Sequence, residues 1–377
     1  MPTYKRAEVE FVRGEGARLW DADGKRYLDF FAGLGVMNAG HCHPRITEAI
    51  REQAGRLVGV SNLYYTAPGM RLAERLVSSS IGGHAFLCNS GAEANEAAIK
   101  LARKHARARG VERPEIIVLE GAFHGRTVAT LTASPKIASE DTFGPLPPGF
   151  VTVPRDDPDA LDAAVGRSTA AVLAEPIQGE AGVHPISDEV LTAARGACDR
   201  TGALLVFDEI QTGMGRTGSL WAWQQGPARP DVMTAAKALG GGLPVGACIA
   251  AEAVDPVLAA GEHGSTFAAA PLASAAALAA LEVIDDPDLL RNVRDLGARL
   301  AAGLGELDGV VQVRGRGLML GARLAAGLDA PTVASSALAA GLVVNVPTPD
   351  TLRLLPPLVI EEGEVDEAVE LIASALA

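Results

Sequence analysis

Cysteine is scarce. Only Cys42, Cys88, Cys198 and Cys248 occur among the 377 residues, and no two form a C-x-x-C pair. Free thiols in a reducing cytoplasm fit that pattern better than a disulfide framework. Basic residues are outnumbered, 33 Lys and Arg against 46 Asp and Glu, giving a net charge of −13. Such a balance argues against nucleic acid, which calls for a basic face. Long hydrophobic runs are missing too. The longest stretch of low charge, residues 264–281, is mostly alanine and contains Pro271, so it predicts a buried helix rather than a membrane span. The opening MPTYKRAEVEFVRGEG has no apolar core, and no secretory signal is expected. With 48% hydrophobic and 21% charged residues, the chain is an ordinary globular one, and its length suggests roughly two domains.

What is present has an order. RLWDADGKRYLDF (18–30) reads as a hairpin turning at Asp23-Gly24. Short apolar runs then alternate with helical patterns: AFLC (85–88), EIIVL (115–119), AAVLAE (170–175), ALLVFD (203–208) and VMTAAK (232–237). Continuous runs of this kind belong to strands buried on both faces, so the class is α/β with a mostly parallel sheet. Beyond about residue 270 the pattern becomes a smaller α+β domain: helix 287–304, strands near 310–313 and 317–324, helix 332–340, strands 342–346 and 352–355, and a last helix. The expected division is 1–45, joining the small domain, then 46–262 as the large domain, then 263–377. GPLPPG (144–149) is a surface loop.

One lysine is oddly placed. In DVMTAAKALGGGLPVGA, Lys237 is the only charged side chain between Val232 and Ala251. Burial lowers a lysine's pKa, and an amine that loses its proton easily suits Schiff-base chemistry. A lysine whose stem lies along apolar surface at the end of an element explains the stretch equally well. The other strand ends bear on the choice, because ligands of open α/β sheets collect there. After AFLC comes NSGAEANEAAIKLARKHA, where Ser90 and Glu93 match an S-x-x-E capping box and small residues Ser90, Gly91 and Ala92 leave helix N–H groups open to phosphate. GAFHGRT brings Phe123 and Arg126, EPIQGE brings acids at 175 and 180, and DEIQTG puts Asp208 at a strand tip. Singly each is an ordinary solvated residue. Together they are the set pyridoxal phosphate needs: an amine, an anion for the ring nitrogen, an aromatic plate and a phosphate cradle.

GMGRTG (213–218) matches the dinucleotide fingerprint G-x-G-x-x-G, but it starts five residues past Asp208 and a poor helix follows. It is set aside, as is HCH (41–43), which lacks a nearby acid and reads as a structural loop rather than a metal site.

These motifs resemble the class III pyridoxal-phosphate aminotransferases of fold type I, from GEGARLWDADGKRYLDF to LRLLPPLVI. The specific pieces are SNLYYT (61–66), NSGAEANEAAIKLAR (89–103), FHGRT (123–127), EPIQGE (175–180), FDEIQTGMGRTG (207–218), AKALGGGLPVGA (236–247) and HGSTF (263–267). The resemblance implies a seven-stranded sheet, a cytoplasmic homodimer with shared sites and pyridoxal 5′-phosphate as cofactor. It implies that Lys237 binds the cofactor and shuttles a proton, that Asp208 meets the ring nitrogen and Gln211 the ring hydroxyl, and that Phe123 and Ile210 cover the two ring faces. Ser90, Gly91 and Ala92 would hold the phosphate, and Thr266 the phosphate of the neighbouring subunit. Arg126 would clamp the α-carboxylate of an N2-acetylornithine donor, and Arg353 that of 2-oxoglutarate, with Glu180 on Arg353 between the two half-reactions. Leu34 stands where ornithine aminotransferases resemble one another in a tyrosine, which favours the acetylated donor. Other ω-amino donors (ornithine, N-succinylornithine, 4-aminobutyrate, a carrier-linked lysine precursor) are the alternative, and a non-catalytic binding protein on the same fold is the rival of another class. The sequence departs from the family at Ala268-Ala269-Ala270, where Gly-Gly-Asn is usual. An alanine forced to positive φ there would cost about 1 kcal/mol.

Overall fold

The computed structural model describes residues 1–377. Its centre is a seven-stranded sheet in the order His84–Cys88, Gly246–Ala250, Val232–Ala235, Leu204–Asp208, Thr169–Ala174, Glu115–Leu119, Phe150–Val153. All neighbours run parallel except Gly246–Ala250, which is antiparallel to both of its partners. Alternate side chains feed opposite cores. Ile116, Val118 and Val206 pack on one face and Ile117, Leu119, Leu205 and Phe207 on the other. Both faces are apolar for that reason, and the strands read as unbroken hydrophobic runs. Helix Gly91–Ala108 covers the first face and helix Asp188–Thr201 the second.

Two strands of this sheet escaped the sequence reading. Phe150–Val153 is a short edge strand after a proline-rich loop, and Gly246–Ala250 is GACIA, with little β propensity. Gly246 is needed there, since a Cβ would stand 2.5 Å from the Ser90 carbonyl.

The hairpin expected at 18–30 forms, and Gly24 takes the left-handed φ of +82° its turn requires. A strand from the far end of the chain, Leu342–Val343, pairs parallel to Arg26–Asp29 and so ties the N-terminal sheet to the C-terminal region. The strand expected at 342–346 is thus two. Its second part, Asn345–Thr348, belongs to another sheet with Val310–Arg316, Met319–Leu324 and Thr351–Leu354. Residues 264–281 were expected as a buried helix; Pro271–Ile284 is that helix, and it packs against Pro44–Ala54 and Ala67–Ser79. No helix is long and apolar enough to cross a membrane. In the loop before it, Ala269 has φ +55°, so one replaced glycine does sit where alanine is strained.

Candidate active site

The parallel strands end on one edge of the sheet, and a cavity of about 460 Å³ opens there. Ser90, Gly91, Ala92, Phe123, Arg126, Glu180, Asp208, Ile210, Gln211 and Lys237 all line it. Lys237 comes directly after strand Val232–Ala235 and opens a short 3-10 turn, Lys237–Gly240, with its own φ at +47°. A non-glycine residue held in that region is strained by the surrounding fold. Burial pulls the Lys237 ammonium down to about 8; the Arg353 charge adds to this, and Glu180, Asp208 and Glu175 oppose it. The amine therefore gives up its proton far more readily than an ordinary lysine, and a stem merely lying along apolar surface is the weaker explanation.

Asp208 ends its strand and is buried. Its Oδ2 accepts hydrogen bonds from Asn95 Nδ2 and faces His124 Nδ1, both at 2.8 Å, and its Oδ1 accepts the Ile210 N–H at 3.0 Å. Thr234 in turn donates to Asn95 Oδ1. Glu175 accepts the N–H groups of Phe123 and Gly179. Burial raises its carboxyl well above the ordinary range, with His124 pulling down and Asp208 pushing up. Asn95, His124 and Glu175 were not singled out from sequence for this network. They lie on three separate elements, and only the sheet's packing brings them to Asp208. Glu209, next in the chain, turns away: its carboxylate holds Thr212 Oγ1 and the N–H groups of Ala222 and Trp223.

Helix Gly91–Ala108 begins at the cavity wall. Ser90 caps it by accepting the Glu93 N–H at 3.2 Å, while Glu93 reaches back to the N–H of Asn89 rather than to that of Ser90. Half of the expected capping box is thus shifted by one residue. Gly91 has no room for a side chain, because a Cβ would sit 2.6 Å from Ile210 Cδ1. Backbone N–H groups of this first turn have no intrahelical acceptor and form an anion cradle together with the helix dipole.

One arginine, Arg126, lines the cavity, and a second, Arg353, contacts its lining residues Glu180 and Gln211. Arg126 is exposed, lies with its guanidinium carbon 5.4 Å from the Phe123 ring centre and makes no ion pair. Arg353 is fully buried; Nη1 donates to Glu180 Oε1 at 2.7 Å and to Gln211 Oε1 at 3.3 Å, while Nε and Nη2 both donate to Asn345 Oδ1. Burial raises the Glu180 carboxyl, but Arg353, Lys237 and Lys136 outweigh it and the net shift is downward.

Three expected residues are not in that lining: Arg353, which is buried against Glu180 and Gln211, Leu34 and Thr266. Leu34 is not part of the cavity lining, and Val36 is. Ala32 to Gly35 all have positive φ (47°, 60°, 68°, 73°), a left-handed turn held by Asp29 Oδ1 accepting the N–H groups of Phe31 and Ala32. That turn shifts which residue meets the cavity, a strained geometry no pattern of side chains announces. Thr266 is exposed and lines a separate pocket with Ser61, Asn62 and Tyr64. The two motifs set aside have packing roles. In GMGRTG, Arg216 is fully buried and donates to the Leu318 and Pro356 carbonyls and to Asn38. His41 meets Asp29 Oδ2 at 2.6 Å.

A half-buried lysine, a strand-tip aspartate, a helix N-terminus and an open arginine lining one cavity make the site of an amino-group transferase, and the chain belongs to the class-III aminotransferases, whose family model matches residues 2–376. Among its relatives, the acetylornithine aminotransferase of Methanocaldococcus jannaschii is 45% identical over 97% of this chain and 93% of that protein. The crystal structure of N-acetylornithine aminotransferase from Stenotrophomonas maltophilia is 39% identical with a TM-score of 0.86, covering 99% of this chain and 96% of that one. Ornithine aminotransferase from Toxoplasma gondii is 33% identical with a TM-score of 0.94, over 100% and 92%.

Proposed function

We propose that the chain transfers the δ-amino group of N2-acetylornithine to 2-oxoglutarate, yielding N-acetylglutamate 5-semialdehyde and glutamate, a step of arginine biosynthesis. The carrying observation is a single cavity lined by a lysine with a lowered pKa and an open arginine, Arg126, with a second, buried arginine, Arg353, held by the lining carboxylate Glu180. The names of relatives at 45% and 39% identity support the substrate.

The residues fit pyridoxal 5′-phosphate. Ser90, Gly91 and Ala92 would hold its phosphate, Asp208 its ring nitrogen, Gln211 its ring hydroxyl, Phe123 and Ile210 its faces, and Lys237 its aldehyde carbon. When bound, the cofactor supplies a carbonyl that condenses with amines and a ring that takes up the electrons released when a C–H bond beside the nitrogen breaks. Lys237 Nζ, whose pKa burial lowers to about 8, can take the proton from the donor's Cδ and would hand it on to the cofactor's former aldehyde carbon. Asn95, His124 and the Ile210 N–H keep Asp208 fixed under the ring. Arg126 binds the donor's α-carboxylate by a bidentate pair worth roughly 1.5–3 kcal/mol. Meanwhile Glu180 occupies Arg353, and it leaves when 2-oxoglutarate presents its own carboxylate.

Selectivity for the acetylated donor would come from the apolar wall at Val36, beside Leu34. A charged α-amino group desolvated there without a partner is costly, whereas an amide is not. The likeness to an ornithine aminotransferase at TM-score 0.94 favours a second reading, ornithine itself as donor. A panel of ω-amino donors with 2-oxoglutarate as acceptor separates the two.

We also propose a homodimer. Leu63, Tyr64, Tyr65, Met70 and Phe267 are all more than half exposed, and large apolar side chains exposed together mark an interaction surface. In such a dimer Thr266 would reach the partner's cavity. All four cysteines are free thiols, which supports a cytoplasmic setting. For the division into domains, the packing of Pro271–Ile284 supports starting the smaller unit at helix Pro287–Gly305 rather than at residue 263.

A further inference from the structure

Arg353 is surrounded in an asymmetric way. A guanidinium can grip a carboxylate with two parallel bonds along either of two edges, Nε with Nη2 or Nη1 with Nη2. Here the first edge is filled by one neutral oxygen, Asn345 Oδ1, at 3.0 Å from Nε and 2.5 Å from Nη2. The second edge carries Glu180 and Gln211, both through Nη1. Gln211 is neutral, so Glu180 is the only carboxylate on the guanidinium, and its side chain is 32% exposed and free to move outward.

The sheet register dictates the neutral contact. Asn345 and Arg353 are directly opposite each other on antiparallel strands Asn345–Thr348 and Thr351–Leu354. Cross-strand neighbours stand within about 5.5 Å at Cβ, so a short side chain at 345 meets the arginine's inner edge without any further movement. An amide oxygen satisfies two buried donors there and leaves the positive charge uncancelled. A carboxylate in its place would satisfy the same donors and neutralise the arginine permanently.

We infer that Asn345 is a positioning and specificity residue for the acceptor half-reaction: it fixes Arg353 so that Nη1 meets Glu180 and Gln211 of the cavity lining, and by being neutral it reserves the arginine's charge for an incoming dicarboxylic keto acid. This rests on the proposed reaction in one respect, that Arg353 binds the acceptor's carboxylate. A movable acid then controls access on one edge and a fixed amide supplies geometry on the other.

The test uses the holoenzyme with Asn345→Asp and Asn345→Ala. Three quantities are read: the KM for 2-oxoglutarate, the single-turnover rate with the amino donor, and the calorimetric affinity for glutarate, a dicarboxylate that cannot react. In Asn345→Asp, KM and the glutarate Kd are expected to rise by about tenfold or more, the donor rate to stay within about twofold and the thermal midpoint not to fall. Asn345→Ala keeps the charge but frees the fork, so a smaller rise of about threefold to tenfold is expected. An aspartate variant with wild-type KM and glutarate affinity overturns the inference, as does a parallel fall in donor and acceptor steps. If the wild type is silent toward every donor, the proposed reaction fails instead, and the glutarate titrations still decide the role of Asn345.

Discussion

At the floor of the cavity Asp208 is held by three partners at 2.8–3.0 Å, all of them buried or backbone. At the rim Arg126 is exposed and has no acidic partner at all, and Glu180, 32% exposed, links the cavity to the fully buried Arg353. The floor is a fixed polar network in which every move leaves a buried group unpaired, and such networks hold one geometry. Arg126 and Glu180, which solvent reaches, can change partners because an exposed group regains water when its contact parts, whereas the buried Arg353 needs a new carboxylate as Glu180 leaves. The difference teaches where chemistry and selection are separated: the reacting atoms need a preorganised floor, while two substrates of unlike charge need a rim that can be reset between them.

Breaking the floor should have the largest effects. Lys237→Ala is expected to lower turnover by at least about 10³-fold, since no other amine lines the cavity to move the proton. Stopped-flow rates with the cofactor still bound check this. Asp208→Ala should cost roughly 10²–10³-fold in kcat. Glu209→Ala is expected to spare kcat in whatever folds. It should lower stability instead, at about 1–3 kcal/mol for each buried donor left unpaired. Equal losses of kcat in the two variants would show that the neighbouring carboxylates do not divide their roles this way.

Changes at the rim should act on binding. Arg126→Ala is expected to raise the KM for the donor by roughly tenfold to a hundredfold with little change for 2-oxoglutarate, in keeping with one lost bidentate pair. Glu180→Ala should leave Arg353 open throughout, so that amino donors which present an α-carboxylate to it gain about tenfold on ω-amino donors. Competition between glutamate and acetylornithine for the loaded enzyme measures that shift.

The smallest effect concerns pH. The folded-state pKa of Glu175 is raised, above all by burial, so the folded chain keeps a proton that the unfolded chain has lost. Stability from this group is complete below the ordinary glutamate pKa of about 4.3 and declines as pH rises through that value toward the folded one. Glu175→Gln should flatten this decline and gain stability relative to wild type at pH 8, as thermal midpoints of the cofactor-free chain across pH 4–8 would reveal. An unchanged slope would mean the carboxyl is not protonated in the fold.

Much of the floor was legible because it sits at strand tips. Lys237, Asp208 and Phe123 each follow an apolar run, and a parallel sheet brings such tips to one edge whatever the intervening sequence. Their supporting partners were not legible in that way. His124 and Asn95 meet Asp208 from 84 and 113 positions away, and Thr234, on the neighbouring strand, joins the network only through Asn95, 139 positions from it. Asn345 escaped for a different reason, namely that its contact depends on strand register next to an irregular pairing. The exchange of Leu34 for Val36 at the wall follows from four consecutive left-handed residues, two of them not glycine. Backbone strain of that kind is set by the surrounding fold rather than by local propensity. GMGRTG misleads for the opposite reason: its glycines serve close packing, with a Cβ at Gly213 only 2.7 Å from the Glu209 carbonyl, not phosphate binding.

In the proposed reaction one cavity handles two substrates in turn, with Lys237 on a fixed floor, Arg126 taking one carboxylate and the buried Arg353 the other. Single-turnover mixing of the holoenzyme with N2-acetylornithine, and then with 2-oxoglutarate, measures this most directly. The expected result is loss of the bound cofactor's visible absorption with the first and its return with the second, with acetylornithine at least about tenfold ahead of ornithine in rate over concentration. Equal rates for the two donors, or no change of absorption with either, would contradict it.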